Sequence, residues 1–473
     1  MAVYQKKVVV HAVSTIQPSQ KTPPTIQFLS NLDLYFSWIK SYMQLASYFR
    51  ASITDPGEVT GLMKSLKESL ARTLDVFPAL AGRLSKENGT GRLKLDVNGA
   101  GIPFFEASID ARMDEWEHLF YSPVEEQLNP MDHYVPDVLE VPLCRVQVTI
   151  FSCGGVAIGF SALHTAFDGL GAVEFLIAWG EIHRGLAIST PPDFSTELLK
   201  ARNPPEVRMQ MPEIITSLFE ESRAAASSVP TPPLFPDGAF NPSNFLGGKT
   251  ILLHLSAKMV DQCVKEVEEG AHSYGHVSSF EAISALVWTA ITRARVPPED
   301  EITNYTFPVN IRGEGRWEPP LPRGYFGNAV MNSMATAKVE NILSNDISFA
   351  AQTIHKVIQQ VTPEFVRSAM DWIELQMQEG LSIGRLKQLS PCSVGSTSFA
   401  NFPISSIDFG FGNLLHLGQT MIPMMTQLGA VQLLPSPGGD RRSRQVVIGL
   451  PEPAMSRLLE DEDFVRYFPG LKN

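Results

Sequence analysis

Leucines at helical spacing predict an amphipathic helix that starts near residue 61 and ends before Pro78. Charged side chains lie between the leucines, and a proline is a common stop signal for a helix. The leucines are Leu62, Leu66, Leu70 and Leu74. Nearer the start of the chain, residues 1–13 alternate between polar and apolar side chains, which favours a strand.

Two apolar runs, 145–151 and 156–163, flank the turn sequence Ser-Cys-Gly-Gly and predict a β-hairpin. His164 follows the second run directly. Apolar residues then recur at helical spacing from about residue 169, so a helix should begin just after Asp168. The sequence therefore predicts that His164 lies where a strand ends, in a short loop before a helix.

Proline, serine and polar residues dominate from about 186 to 245, around one helical pattern at 212–226. This composition predicts a crossover linker at 191–245 between a domain at 1–190 and a second at 246–473. In the second, 249–256 is strand-like, and 278–295 has the capping pair Ser278 and Glu281 of a helix. Both halves mix helices and strands, so we expect an α/β protein with a site between two domains.

Composition narrows the range of partners. The chain has 473 residues, 44% of them hydrophobic, and a net charge of −12 without a dense block of lysine and arginine. A broad basic surface for nucleic acid or an anionic membrane is therefore not expected. No apolar run approaches the roughly 20 residues that a membrane helix needs. We expect a cytoplasmic protein with neither a nucleic-acid nor a membrane partner.

The four cysteines are scattered through the chain, without the spacing of a metal site. This pattern suits a reducing compartment, and we expect free thiols, no disulfide and no structural zinc or other metal. They are Cys144, Cys153, Cys263 and Cys392.

Several catalytic signatures are absent from the sequence. Residues 247–250 (GGKT) lack the first glycine of a phosphate-binding loop and lead into a strand, and 169–171 (GLG) lacks the third glycine of a dinucleotide fingerprint. No GxSxG or HExxH motif occurs. Serine-triad, zinc-hydrolase and nicotinamide chemistry all lose support.

His164 is the main candidate for chemistry. A histidine at a strand end can face a cleft, and its near-neutral pKa lets it accept a proton. The alternative is a structural histidine, and the HxxxDG pattern at 164–169 does not by itself decide between the two. Asp168, directly before a helix, favours a helix cap or an ion pair over a second catalytic acid. Gly169 is expected to permit the tight turn.

A second motif, DFGFG at 408–412, strengthens the interpretation of the HxxxDG motif as a catalytic one. Together HxxxDG and DFGFG resemble the BAHD acyltransferases, a coenzyme A-dependent family defined by HxxxD and a C-terminal DFGWG. Other stretches resemble the family along the whole chain, and the pattern is closest to hydroxycinnamoyltransferase-like members. These stretches are TIQFLSNLD at 25–33, FPALAGRL at 77–84, SSFEAISALVW at 278–288 and YFGN at 325–328.

The resemblance implies two chloramphenicol-acetyltransferase-like α/β domains with a solvent channel between them. It also implies that His164 is a general base, which deprotonates a hydroxyl or amine for attack on an acyl-CoA thioester. Acyl-CoA is then a co-substrate, and no cofactor is bound permanently. Asp408, Gly410 and Gly412 are implied to be structural. Carrier-dependent condensation domains use HHxxxDG, and Leu163 replaces their first histidine, so free acyl-CoA is the expected donor.

Some residues depart from the family pattern. Phe411 replaces the tryptophan of DFGWG. In the stretch at 395–404, Thr397 is retained and is a candidate oxyanion donor, but Phe399 replaces a tryptophan. Asn401 stands where shikimate-using members carry arginine, and asparagine cannot pair bidentately with a carboxylate. Phe399 and Asn401 are candidate channel residues, and shikimate and quinate are not the expected acceptors.

Further contacts are implied by the family. Asp168 should pair with an arginine, with Arg293 as the first candidate and Arg312 as the second. Ser278 and Ser279, at a helix N-terminus, are candidates for the phosphates of coenzyme A, although both could simply cap the helix. The expected function is acyl transfer to a small specialised metabolite by a monomer. The alternative is a catalytically weakened member that binds acyl-CoA or a metabolite.

Overall fold

The computed structural model describes residues 6–21, 23–130, 135, 137–219, 248–381, 392–419, 429–436 and 440–468. Strands and helices are numbered here in chain order. The strands are β1 (Val9–Ile16), β2 (Thr25–Phe28), β3 (Tyr42–Phe49), β4 (Arg83–Lys86), β5 (Leu93–Val97), β6 (Ile102–Ile109), β7 (Cys144–Phe151), β8 (Val156–Leu163), β9 (Gly248–Leu255), β10 (Ile302–Asn310), β11 (Val330–Lys338), β12 (Val394–Ser398), β13 (Leu414–Gln419), β14 (Ala430–Pro435) and β15 (Arg444–Pro451). The helices are α1 (Asn31–Tyr35), α2 (Pro56–Val76), α3 (Met113–Trp116), α4 (Gly169–His183), α5 (Glu213–Thr216), α6 (Ala257–Glu269), α7 (Ser279–Arg295), α8 (Val339–Ser344), α9 (Ile347–Gln360), α10 (Pro363–Gln378), α11 (Glu452–Glu460) and α12 (Glu462–Val465).

Two six-stranded sheets organise the described residues. The first has the order β1-β6-β7-β8-β3-β13, and the second has the order β11-β10-β12-β14-β15-β9. A small three-stranded sheet, β2-β5-β4, accompanies the first. The predicted mixed α/β architecture with two sheet-rich halves is confirmed.

The predicted hairpin is the centre of the first sheet. Strands β7 and β8 pair antiparallel, with Val148 opposite Ile158, and every residue of β8 is buried. A strand buried on both faces needs a continuous apolar run rather than alternation. This burial explains why the sequence of β8 that leads up to His164 is apolar apart from Ser161.

The predicted helices also form. Helix α2 starts at Pro56, where the Asp55 side chain accepts hydrogen bonds from the next turn, and it ends at Val76, before Pro78. Helix α7 has the predicted capping box between Ser278 and Glu281. Of the helix predicted at 212–226, the described residues contain α5 and a short 3-10 turn to Phe219. The rest of it lies outside the described residues, as does 220–245 of the predicted linker.

The two halves are interlocked. Strand β13 comes from the C-terminal half but pairs with β3 in the first sheet. Phe399, Leu434 and Val447 of the second half belong to the core of the first, while Tyr35 and Phe36 belong to the core of the second. The boundaries at 190 and 246 stay predictions, but the first sheet includes 414–419.

No helix among the described residues is long and apolar enough to cross a membrane. Within the same ranges, no disulfide joins any two of the four cysteines.

Candidate active site

His164 lies at the junction of the two halves. It directly follows β8 and is partly accessible, whereas Leu163 before it is fully buried. Phe36, which follows α1, stacks on the imidazole with a centroid distance of 4.6 Å and an angle of 13°. Asn328, just before β11, meets the Nδ1 atom of His164 through its Oδ1 at 3.1 Å. The ring is therefore held on one face and at one nitrogen.

The surroundings of His164 favour its neutral form. Burial lowers the pKa of the imidazole below its ordinary value of 6.5. Three interactions offset this lowering of the pKa only in part: a hydrogen bond with the backbone of His164 itself, the charge of Asp168 and the hydrogen bond with Asn328. A neutral imidazole at physiological pH is the form that can accept a proton.

Asp168 is a structural carboxylate, and Arg312 is its partner. The closest pair of atoms, Nη1 of Arg312 and Oδ2 of Asp168, is 2.7 Å apart, and both side chains are nearly inaccessible. Asp168 also accepts the backbone N–H groups of Gly171 and Ala329 at 3.2 and 3.0 Å. The first of these bonds caps α4, so Asp168 serves as helix cap and ion-pair partner at once.

The charge of Arg312 determines the protonation state of Asp168. Burial by itself raises the pKa of the carboxyl, but the guanidinium and the donated hydrogen bonds outweigh it. The net effect holds the pKa of Asp168 below its usual 3.8. Asp168 is therefore ionised and fully hydrogen-bonded, which does not suit a catalytic acid.

The prediction that Arg293 is the partner of Asp168 was wrong. Arg293 pairs with Asp461 at 2.6 Å on a more exposed surface. The reason lies in the register of the second sheet. Asn310 of β10 is opposite Val330 of β11. Two residues further along the same register, Arg312 is opposite Asn328, and this end of the strand pair lies against Asp168.

Gly169 has a different role from the one predicted. Its backbone does not adopt a positive φ angle; instead, the aromatic ring of Phe399 lies where a side chain would be. A Cβ atom on Gly169 would come within 2.9 Å of Cζ of Phe399. The glycine therefore permits a close approach between the HxxxDG loop and the second half.

Thr397 and Phe399 lie on the face of the second sheet that is turned toward the first half. Side chains two positions apart along a strand share a face, and Phe399 continues the ladder of β12 through its N–H to the carbonyl of Leu433. Thr397 is partly accessible, and Asn401 is exposed. The structure brings Thr397 and Phe399 to the side of the HxxxDG loop and leaves Asn401 at the surface.

The DFGFG segment fastens the C-terminal half to the first half. Asp408 pairs with Arg184, at the end of α4, at 2.7 Å and accepts the N–H of Gly410 at 2.8 Å. Gly410 and Gly412 have φ angles of +80° and +142°, which favour glycine. Phe411 packs edge-on against Phe49. In the structure these residues contribute packing and chain geometry.

Ser278 acts as the cap of α7. Its hydroxyl bonds to the carboxylate of Glu281 at 2.6 Å, and the backbone N–H of Glu281 donates to it at 3.2 Å. Ser279 is the first residue of the helix. Contact between these serines and coenzyme A stays a prediction. No group of three or more histidine, cysteine or acidic residues that could hold a metal occurs among the described residues.

Comparison with known proteins decides the family. The model of the Transferase family matches residues 6–465. The chain belongs to this family, the BAHD acyltransferases. The predicted resemblance is confirmed, and members of the family are acyltransferases.

Curated relatives of this BAHD chain span nearly its whole length. The omega-hydroxypalmitate O-feruloyl transferase of Arabidopsis thaliana is 30% identical, over 93% of this chain and 89% of the relative. The hydroxycinnamoyltransferase of Narcissus pseudonarcissus is also 30% identical, over 90% and 92%.

Solved structures share the fold of this BAHD member. Vinorine synthase superposes with a TM-score of 0.68 at 21% identity, covering 95% of this chain and 96% of the other. TRI101 of F. graminearum, complexed with coenzyme A and deoxynivalenol, gives 0.74 at 15% identity, covering 94% and 99%. The predicted two-domain acyltransferase fold is thereby confirmed.

Four residues in or beside this BAHD site have no role in the sequence-based prediction. Asp33 and Asn328 lie within the stretches LSNLD and YFGN that resemble the family, and Phe36 follows the first of these closely. Gln432, opposite Thr397 in the second sheet, is fully buried, and neither atom of its amide has a hydrogen-bond partner among the described residues. A polar residue inside the apolar run of β14 was a signal available in the sequence.

The backbone of the DFGFG segment gives a stability prediction. Gly412→Ala is expected to lower the free energy of unfolding by about 1–3 kcal/mol, because alanine disfavours this φ angle and its Cβ would lie 2.8 Å from the Arg50 carbonyl oxygen. Urea denaturation measures the change.

Gly61→Ala is the matched control for this substitution. Gly61 lies in α2 with no atom within 4 Å of an added Cβ, so the same exchange should stabilise the protein by about 0.5–1 kcal/mol. Equal effects at both positions would contradict the assignment of Gly412.

Proposed function

We propose that the protein transfers an acyl group from an acyl-CoA thioester to a hydroxyl, or an amine, of a small specialised metabolite. His164 is the general base, and no covalent acyl-enzyme forms. The observation that carries the proposal is the state of His164: partly accessible, neutral, and held at Nδ1 by Asn328 at the junction of the two halves. We propose that both substrates reach it through a channel between these halves.

The chemistry needs few protein groups. A thioester is already activated, and thiolate is a good leaving group, so no protein nucleophile is required. His164 takes the proton of the acceptor as its oxygen or nitrogen attacks the thioester carbonyl. The C–S bond of the tetrahedral intermediate then breaks, and His164 returns the proton to the thiolate of coenzyme A.

The tetrahedral intermediate carries a negative oxygen that needs a donor. Thr397 is the proposed donor, because it is partly accessible and lies on the same strand face as Phe399, which contacts the HxxxDG loop. Loss of one such donor typically costs about 3 kcal/mol of transition-state stabilisation. Ser278 and Ser279 are proposed to meet the phosphates of coenzyme A at the N-terminus of α7, where the helix dipole favours negative charge.

The names of the relatives indicate the substrate class to test first. The Arabidopsis relative is named as a feruloyl transferase to omega-hydroxypalmitate, and the Narcissus relative as a hydroxycinnamoyltransferase. We therefore propose an aromatic acyl donor and an alcohol acceptor. Because Asn401 is exposed and uncharged, we propose an acceptor that does not depend on a carboxylate contact there. We also propose that the enzyme is a cytoplasmic monomer.

The test is an acyl-transfer assay with purified full-length protein. Aromatic and aliphatic acyl-CoAs are combined with a panel of alcohols and amines, and both thiol release and the acylated product are measured. Thiol release that requires the acceptor and yields a stoichiometric product supports the proposal. Thiol release without product indicates hydrolysis and contradicts it.

The alternative function is binding without turnover. It is favoured by Phe399, which stands where related enzymes carry an indole donor and packs against Gly169 instead. Tight binding of coenzyme A by calorimetry, with no product across the whole panel, would support this alternative over the enzyme.

The lowered pKa of His164 predicts the pH profile. A base must be unprotonated in the free enzyme, so kcat/KM should be at its plateau near pH 8 and fall to half of that plateau only below pH 6.5, the ordinary histidine value. Initial rates in buffers of constant ionic strength from pH 4.5 to 9 measure this. An acid limb centred above pH 7 would contradict the desolvated position of the ring.

A further inference from the structure

A buried carboxylate lies behind His164, on the far side of Asn328. Asp33 of α1 is 1% exposed, and its Oδ1 accepts both the backbone N–H of Asn328, at 2.8 Å, and the side-chain Nδ2–H, at 3.0 Å. Its Oδ2 accepts the N–H and the hydroxyl of Ser30 at 3.0 and 2.7 Å. Asp33 therefore binds Asn328, a residue of the other half of the chain, through two hydrogen bonds, one from its backbone and one from its side chain.

The partners of Asn328 fix the orientation of its amide. Its Nδ2 faces Oδ1 of Asp33 and the backbone carbonyls of His164 and Thr165, at 3.0, 2.9 and 3.4 Å. The two carbonyl oxygens can only accept, and Oδ1 of Asp33 already accepts the backbone N–H. The nitrogen end of the amide must point to them. The oxygen end is then the atom that faces Nδ1 of His164.

An amide oxygen carries no proton, so Nδ1 of His164 must donate in this contact. A neutral imidazole has a single N–H group, and placing it on Nδ1 leaves Nε2 with a free lone pair. Asn328 holds the side chain and the backbone of His164 together, at Nδ1 and at the carbonyl.

We propose that Asp33 and Asn328 are positioning residues: Asp33 orients the amide of Asn328, and Asn328 fixes His164 as the Nδ1–H tautomer with Nε2 available as the base. This inference rests on the proposed function of His164. A carboxylate, an amide and an imidazole form the chain, so the carboxylate acts through the amide and never touches the substrate.

The tautomer can be observed without turnover. In protein labelled with ¹⁵N-histidine, the ring nitrogens of His164 are assigned by their loss in His164→Ala among the ten histidines. Wild type is expected to show a protonated Nδ1 and a bare Nε2. In Asn328→Ala the Nδ1–H form should lose its dominance. A dominant Nε2–H form in wild type, or an unchanged tautomer in Asn328→Ala, would overturn the proposal.

Kinetics supply the second readout. Asn328→Ala is expected to lower kcat about 10²-fold, a typical share for a correctly placed general base, with the KM for acyl-CoA changed less than threefold. Asp33→Asn keeps the size of the side chain but replaces one carboxylate oxygen with an NH₂ group. The two oxygens of Asp33 accept four hydrogen bonds, and the NH₂ group cannot accept any of them, so this substitution should lower kcat about tenfold. Wild-type kcat in either folded variant would overturn the role of that residue.

Asn31→Ala is the matched control. Asn31 is equally buried on the same helix, but it bonds to Glu374 at 3.0 Å and not to Asn328. It should keep the wild-type tautomer and kcat. Should the acyl-transfer panel yield no product, the proposed function fails while the tautomer measurement still decides the positioning of His164.

Discussion

His164→Ala is expected to reduce kcat for acyl transfer by about 10²-fold to 10⁴-fold, the usual contribution of a general base. The ring is the partly accessible base at the junction of the halves, and alanine leaves no group to accept the proton of the acceptor. The KM for acyl-CoA should change little, because the thioester is bound through other contacts. Initial rates with the best substrate pair of the panel measure both constants.

His183→Ala is the control for this substitution. His183 is a partly buried histidine at the end of α4, and it contacts Ser69 at 3.1 Å, away from the HxxxDG loop. Its replacement should leave kcat within twofold of wild type. Full activity in His164→Ala, with a wild-type thermal melt, would refute the proposed mechanism.

Arg312→Ala is expected to lower the free energy of unfolding by about 3–5 kcal/mol, the cost of leaving one member of a buried ion pair without its partner. Asp168 would then carry an uncompensated charge at the start of α4, in contact with the loop of His164. Asp168→Asn should have a comparable effect, since Arg312 would be left buried beside a neutral amide. Urea denaturation followed by tryptophan fluorescence measures the shift in midpoint.

Arg442→Ala tests the same arginine exchange at an exposed ion pair. The side chains of Arg442 and Asp261 are 62% and 54% exposed, and such pairs contribute about 0–1 kcal/mol. A loss as large as that of Arg312→Ala would show that burial does not determine the free-energy cost of breaking the ion pair.

The pH dependence of stability provides a second check of the Asp168–Arg312 pair, because the pKa of Asp168 is lowered in the folded state. Its stabilising contribution is present above the ordinary aspartate pKa of 3.8 and disappears as the pH falls through the lower folded value.

Local patterns in the sequence predicted the elements around His164. The apolar run of β8, the turn before it and the capping signals of α4 and α7 each depend on residues within a few positions of one another. These features all appear in the structure. The motif resemblance predicted the family and the two-sheet architecture, both of which the comparisons confirm.

The missed contacts are those between residues far apart along the chain. Choosing Arg312 over Arg293 requires the register of β10 with β11, which no local pattern encodes. The bonds of Asp33 to Asn328 join residues 295 positions apart, and the role of Gly169 depends on a ring 230 positions further along. Such contacts follow from how the sheets pack, so spacing alone could not identify them.

The placement of β13 restricts how the protein can be recombined with its relatives. A chimera joined within the predicted linker would pair the β3 of one parent with the β13 of the other, and these two strands share a ladder from Leu45 to Phe49. A mismatch there leaves the sheet with a poorly matched edge strand, which is a template for pairing with other chains. Grafts between family members should therefore transfer residues 414–419 together with the first half.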